Sequence, residues 1–138
     1  MILSAKRTRG GRVPKQILII DDEELITHSL RRLLESQGFT VRVASRGEDA
    51  LTMIREEPCD LIVADLRMPG LNGVETIGKI NELCGQRNVP PIPVLFITGF
   101  ADPDLEQQIK SLEATCIHKP FDLDVFVSEI KRLLSLPT

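Results

Sequence analysis

The chain has 138 residues, 42% hydrophobic and 27% charged, with a net charge of −3. Those proportions fit one globular domain that buries roughly two-thirds of its unfolded surface, and they argue against a largely disordered or membrane-spanning chain. Five Phe are its whole aromatic content, with no Trp or Tyr, which argues against a module that grips nucleic acid by stacking bases.

The charge is unevenly divided. Lys6, Arg7, Arg9, Arg12 and Lys15 lie in the first 16 residues with no acid among them. The remaining twelve basic residues face 20 acids, so the body carries −8. The basic arm over residues 1–15 reads as a solvated terminus that folding does not require; a contact with nucleic acid or an acidic partner is the alternative. Cys59, Cys84 and Cys116 are widely spaced, with no C-x-x-C pair, so neither a zinc site nor a disulfide framework is indicated. The start has no apolar stretch of signal-peptide length, and no run reaches the length of a membrane span. A reducing, cytoplasmic location without membrane contact is the expectation.

Two kinds of segment alternate from residue 16 onward. QILII over 16–20 is short, apolar and β-branched, the pattern of a strand buried on both faces of a parallel sheet. Ile26, Leu30, Leu33 and Leu34 then repeat at helical spacing, with Gly38 where a C-terminal cap belongs. FTVRVA over 39–44 alternates and predicts a half-exposed edge strand. Ser45 and Glu48 have capping-box spacing ahead of Ala50, Leu51 and Ile54. LIVA over 61–64 predicts a third strand. Asn72 and Glu75 repeat the capping-box spacing before Ile77, Ile80 and Leu83. Three prolines in 84–93 predict a stiff surface loop. PVLFIT over 93–98 predicts the fourth strand, and Asp102-Pro103 opens a helix with Leu105, Ile109 and Leu112 on one face. Thr115–His118 is a weaker fifth strand, and Asp122 caps a last helix bearing Phe126, Ile130, Leu133 and Leu134. Five strands alternating with five helices give a (βα)5 doubly wound α/β fold over 16–136: an open parallel sheet of flavodoxin-like topology, order 2-1-3-4-5. Right-handed crossovers then bring every strand's C-terminal end to one edge, where ligands bind in such sheets.

Asp21, Asp22 and Glu23 leave the first strand at that edge, Asp65 the third, Thr98 the fourth, and Lys119-Pro120 the fifth. Clustered carboxylates repel one another unless neutralised, and Mg2+ with oxygen ligands is the natural counter-ion. Lys119 adds a point charge suited to a phosphoryl group, and a carboxylate can itself accept a phosphoryl group as an acyl phosphate. An Asp at a strand end often does no more than cap the next helix. Here four separate loops supply matching chemistry.

These residues carry a resemblance. From about Gln16 to Leu134, the motifs ILIIDDEE at 17–24, LIVADLRMPGLNGVE at 61–75, FITG at 96–99 and HKPF at 118–121 resemble the receiver domain of two-component response regulators. The resemblance implies that Asp65 is the phosphoacceptor and that Asp21 and Asp22 hold Mg2+, with Asp22 the direct ligand and Asp21 acting partly through water. It further implies that the Arg67 carbonyl completes the protein ligands, Thr98 is the switch hydroxyl and Lys119 pairs with the phosphate. The peptide before Pro120 is expected to be cis. Met68-Pro69-Gly70 would shape the loop beside the acceptor, and Arg67 and Phe100 would flank the route of the hydrolysing water. A sensor histidine kinase or phosphotransfer protein is the implied donor, and the downstream target is unnamed.

Two positions depart from the family pattern. Cys116 stands where members carry Tyr or Phe three residues before the lysine, and the Leu112–Thr115 connection lacks the usual Gly-Ala pair. The alternatives are a receiver-like scaffold that signals without phosphorylation and an Asp-nucleophile Mg2+ phosphatase. The phosphatase needs a second Asp where Arg67 stands. A flavodoxin is excluded by the acidic run after the first strand, which would repel a flavin phosphate. His28, on the first helix, reads as a solvated histidine rather than a phosphodonor. The expectation is a phosphoacceptor signalling domain rather than an enzyme, monomeric or weakly dimeric, either single-domain or part of a longer regulator.

Overall fold

The computed structural model describes residues 13–67, 70–99, 103–112 and 114–136, apart from the side chain of Leu105. Most of the basic arm, Met68-Pro69, Phe100 and the expected cap Asp102 lie outside those residues. Five strands and five helices alternate: β1 Gln16–Ile20, α1 Glu24–Ser36, β2 Thr40–Ala44, α2 Gly47–Glu56, β3 Leu61–Asp65, α3 Gly73–Gln86, β4 Val94–Thr98, α4 Pro103–Ser111, β5 Thr115–His118 and α5 Leu123–Leu133. The strands form one parallel sheet in the order β2-β1-β3-β4-β5.

The side-chain period of two divides the core into two layers. Leu18, Ile20, Ile62, Ala64 and Phe96 point to the side covered by Ala50, Leu51 and Ile54 of α2, Ile77 and Ile80 of α3, and Ile109 of α4. Ile17, Ile19, Leu61, Val63, Leu95 and Ile97 point to the other, against Leu30 and Leu34 of α1 and Phe126 and Ile130 of α5. β1, β3 and β4 are therefore buried on both faces, as their unbroken apolar runs require. Each such Ile or Leu contributes on the order of 2 kcal/mol by leaving water, so the sheet's centre is the rigid part on which the loops stand.

Helix ends mostly follow the local chemistry. Gly38 takes φ +93°, where a Cβ would be strained, and the amides of Gly38 and Phe39 bond the Glu35 and Leu34 carbonyls to close α1. Asn72 and Glu75 form a reciprocal capping box on α3, at 2.8 and 3.0 Å. The Asp122 carboxylate accepts from the Asp124 amide at 2.8 Å. The start of α2 differs from expectation. The helix begins at Gly47 with Arg46 as its N-cap and no side-chain cap, so Ser45 lies outside the capping position. Glu48 turns instead to Arg46 at 3.4 Å. α3 also runs further than expected, to Gln86, which shortens the proline-rich connection.

Candidate functional site

The parallel register sets the site. β1 ends at Ile20, paired across β3 with Ala64, so Asp21 leaves the sheet beside Asp65. Asp65 pairs with Ile97 on β4, which puts Thr98 one residue further out. Thr98 pairs with His118 on β5, so Lys119 leaves next. Main-chain bonds hold these exits together: the Asp21 amide to the Ala44 carbonyl at 3.1 Å, Leu66 to Ile97 at 3.2 Å, and Lys119 to Thr98 at 2.7 Å. Asp21, Asp22, Asp65, Thr98 and Lys119 thus reach one edge, while Met68, Pro69 and Phe100 lie outside the described residues. The Lys119-Pro120 peptide is cis, as the resemblance implied.

Asp21, Asp65 and Thr98 are buried and Asp22 is exposed. Carboxylate oxygens of Asp21, Asp22 and Asp65 all lie within 4.8 Å of one another. At an effective dielectric constant of about 20, each ionised pair at that range repels by roughly 3 kcal/mol. One Asp65 oxygen accepts the Arg67 amide at 3.1 Å, and the other lies 3.5 Å from the Lys119 ammonium. Asp21 accepts the Glu23 amide at 3.0 Å. Burial pushes the Asp21 carboxyl up to about 6; the Glu23 amide opposes that shift and the Asp65 charge adds to it. Burial pulls the Lys119 ammonium down, but Asp65, Asp21 and Glu23 together outweigh it and raise its pKa. The cluster therefore holds more negative charge than Lys119 balances. All its donors are hard oxygens, the set a small divalent cation prefers.

Two further residues shape this edge. Glu23 places a carboxylate oxygen 3.5 Å from Lys119, as close as Asp65 does. The acidic run at 21–24 was the sequence signal for a charge cluster, but no spacing rule assigns its third acid to a lysine 96 positions away. Gly73, at the start of α3, packs its Cα against the Asp65 main chain: a Cβ there would overlap the Asp65 carbonyl oxygen. Gly73→Ala is therefore expected to cost about 1–3 kcal/mol in denaturant unfolding and to shift β3's end. An unchanged unfolding midpoint would show that the backbone has slack there.

Cys116, at the position expected to be aromatic, is half-buried, and its thiol faces the Ile117 carbonyl at 3.8 Å. Burial, then the Glu106 charge, raises its pKa, so it behaves as a small apolar side chain. His28 is exposed on α1, as expected.

Residues 17–131 match the model of the response regulator receiver domain. This chain belongs to that family. As a receiver domain it is 31% identical over 123 residues to the Bacillus subtilis sporulation initiation phosphotransferase F, covering 88% of this chain and 95% of that protein. It is 32% identical over 122 residues to the Salmonella typhimurium transcriptional regulatory protein ZraR, covering 86% of this chain but only 26% of that protein. The fold is shared with a CheY-like receiver domain protein from Methanospirillum hungatei, with a TM-score of 0.81 and 27% identity over 89% of this chain and 95% of that one. The family is a signalling one, part of two-component systems. No described helix is long and apolar enough to cross a membrane.

Proposed function

We propose that residues 16–136 accept a phosphoryl group on Asp65 from a phosphohistidine of a sensor kinase or phosphotransfer protein in the cytoplasm, and that phosphorylation changes the binding of a downstream partner. The observation that carries this reading is the meeting of three carboxylates and Lys119 at one sheet edge, with Asp65 between the Arg67 amide and the ammonium. A carboxylate oxygen of Asp65 attacks phosphorus, the P–N bond breaks as the P–O bond forms, and the bond pair stays on the ring nitrogen, the imidazole leaving neutral with one ring proton drawn from solvent. The Arg67 amide fixes the carboxylate plane, and Lys119 follows the charge that spreads onto the phosphoryl oxygens. Asp21, Asp22, Asp65 and the Arg67 carbonyl would hold Mg2+, which supplies positive charge against those same oxygens. The arrangement assists its own phosphorylation and hydrolysis without turning over a separate substrate. Incubation with Mg2+ and acetyl phosphate, read by intact mass, tests it: one phosphoryl group per chain is expected, and none would overturn it.

The switch runs through the end of β4. Thr98 turns its hydroxyl to a phosphoryl oxygen, and Cys116 has no ring to fill the space behind it. The change is therefore carried by residues 99–105 and α4. Adding beryllofluoride with Mg2+ is expected to move amide resonances of residues 97–105 more than those of β5. A segment 99–105 left unshifted would remove this route.

A further inference from the structure

Glu23 and Lys119 come from opposite sides of the site, yet both are held at the root. The Glu23 amide bonds the Asp21 carboxylate at 3.0 Å, and its carbonyl accepts the Thr27 amide at 3.0 Å to begin α1. Glu23 occupies the N-cap of α1, but its side chain makes no cap hydrogen bond. It gives up the helix terminus, where a carboxylate is favoured, and lies against Lys119. Lys119 is pinned in turn by its backbone N–H, which donates a hydrogen bond to the Thr98 carbonyl at 2.7 Å. Its long side chain is 24% exposed and Glu23 is 57% exposed, so Glu23 meets the ammonium from the solvent side while Asp65 meets it from within.

Resting on the phosphoacceptor reading above, we infer that Glu23 is a positioning residue: it holds the Lys119 ammonium over the mouth of the site, so that the phosphoryl oxygens arrive at a charge already in place. A lysine is a flexible point charge, and one anchor leaves its head free to swing. With Asp65 alone, the ammonium would be drawn onto the acceptor and would shield the oxygen that has to attack. With Glu23 as a second partner it stands between the two, and phosphorylation needs only a small shift from carboxylate to phosphoryl oxygen. The opposing possibility is electrostatic. A carboxylate at the mouth repels an anionic donor, and on that basis its removal would speed the reaction. The two differ in what glutamine does. Glutamine keeps an oxygen that accepts from the ammonium and removes the charge, whereas alanine removes both.

The test follows transfer from acetyl phosphate with Mg2+, in which the Asp65 carboxylate displaces acetate from phosphorus with no net proton change. Glu23→Ala is expected to slow phosphorylation about threefold to fivefold, the range open to a largely exposed ion pair. Glu23→Gln is expected to stay within about twofold of the parent. In a Lys119→Ala background, Glu23→Ala should add nothing, since it acts through the lysine. Faster transfer in both Glu23 variants would overturn the inference in favour of charge repulsion. Equal losses in Gln and Ala, or an undiminished loss in the Lys119→Ala background, would also overturn it. The Asp65→Asn protein separates the two levels: if it is still labelled, the acceptor assignment fails, whereas a blank Asp65→Asn with Glu23→Ala at the parent rate sinks the positioning role alone.

Discussion

Asp65→Asn is expected to abolish phosphoryl incorporation from acetyl phosphate, a loss of more than about 100-fold, while the protein stays folded. The change keeps an oxygen to accept the Arg67 amide, so the local geometry at 3.1 Å survives. What it removes is the anionic nucleophile, and a side-chain amide does not form an acyl phosphate. It also removes one of three negative charges that lie within 4.8 Å of one another. Urea unfolding should therefore show unchanged or increased stability, which distinguishes lost chemistry from lost fold. Peptide mapping of the parent should place the modification on the segment containing Asp65. Labelling at Asp21 or Asp22, whose oxygens share the cluster, would mean that the acceptor had been misassigned.

The sheet was legible because its signals are redundant. Three runs of β-branched residues, 16–20, 61–64 and 93–98, can be buried only between two helical layers, and the helices between them carry one apolar face each. The candidate site's edge followed from topology: parallel strands deliver their exits to one side, and Asp21, Asp22, Asp65, Thr98 and Lys119 are each at or just past a strand end. The start of α2 was not legible. Ser45 and Glu48 have the right spacing for a capping box, but the same spacing arises when the helix begins one residue later, and only tertiary packing chooses between the two. Glu23 is the other case. A third acid in a run of four says that charge is concentrated, yet its pairing with Lys119 depends on where two loops from β1 and β5 come to rest.

The buried acid Asp21 makes the metal-free protein pH-sensitive, in a direction opposite to that of most salt-bridged carboxylates. Its carboxyl is raised from 3.8 to about 6, chiefly by burial. Below about pH 4 it is protonated in both the folded and the unfolded chain and costs nothing. Between about pH 4 and 6 the unfolded chain releases the proton and the folded chain keeps it, so stability falls as pH rises. Above pH 6 the full cost remains, on the order of 1–2 kcal/mol once solvent at the mouth of the site is allowed for. Asp21→Asn keeps the oxygen that accepts the Glu23 amide and removes the charge. With chelator present it is expected to be more stable than the parent at about pH 7.5, and no more stable at about pH 4. Mg2+ should remove that advantage by stabilising the parent, because a cation that binds only the folded cluster adds its binding energy to folding. Asp22→Ala should blunt the Mg2+ effect more than Asp21→Asn does, because Asp22 is the exposed carboxylate of the cluster and is proposed as the direct ligand. Thermal melts of the three proteins with chelator and with Mg2+, at both pH values, check each step. If Asp21→Asn gave no stabilisation at about pH 7.5, the buried charge would already be balanced within the protein. The case for a cation in that cluster would then lose its physical ground.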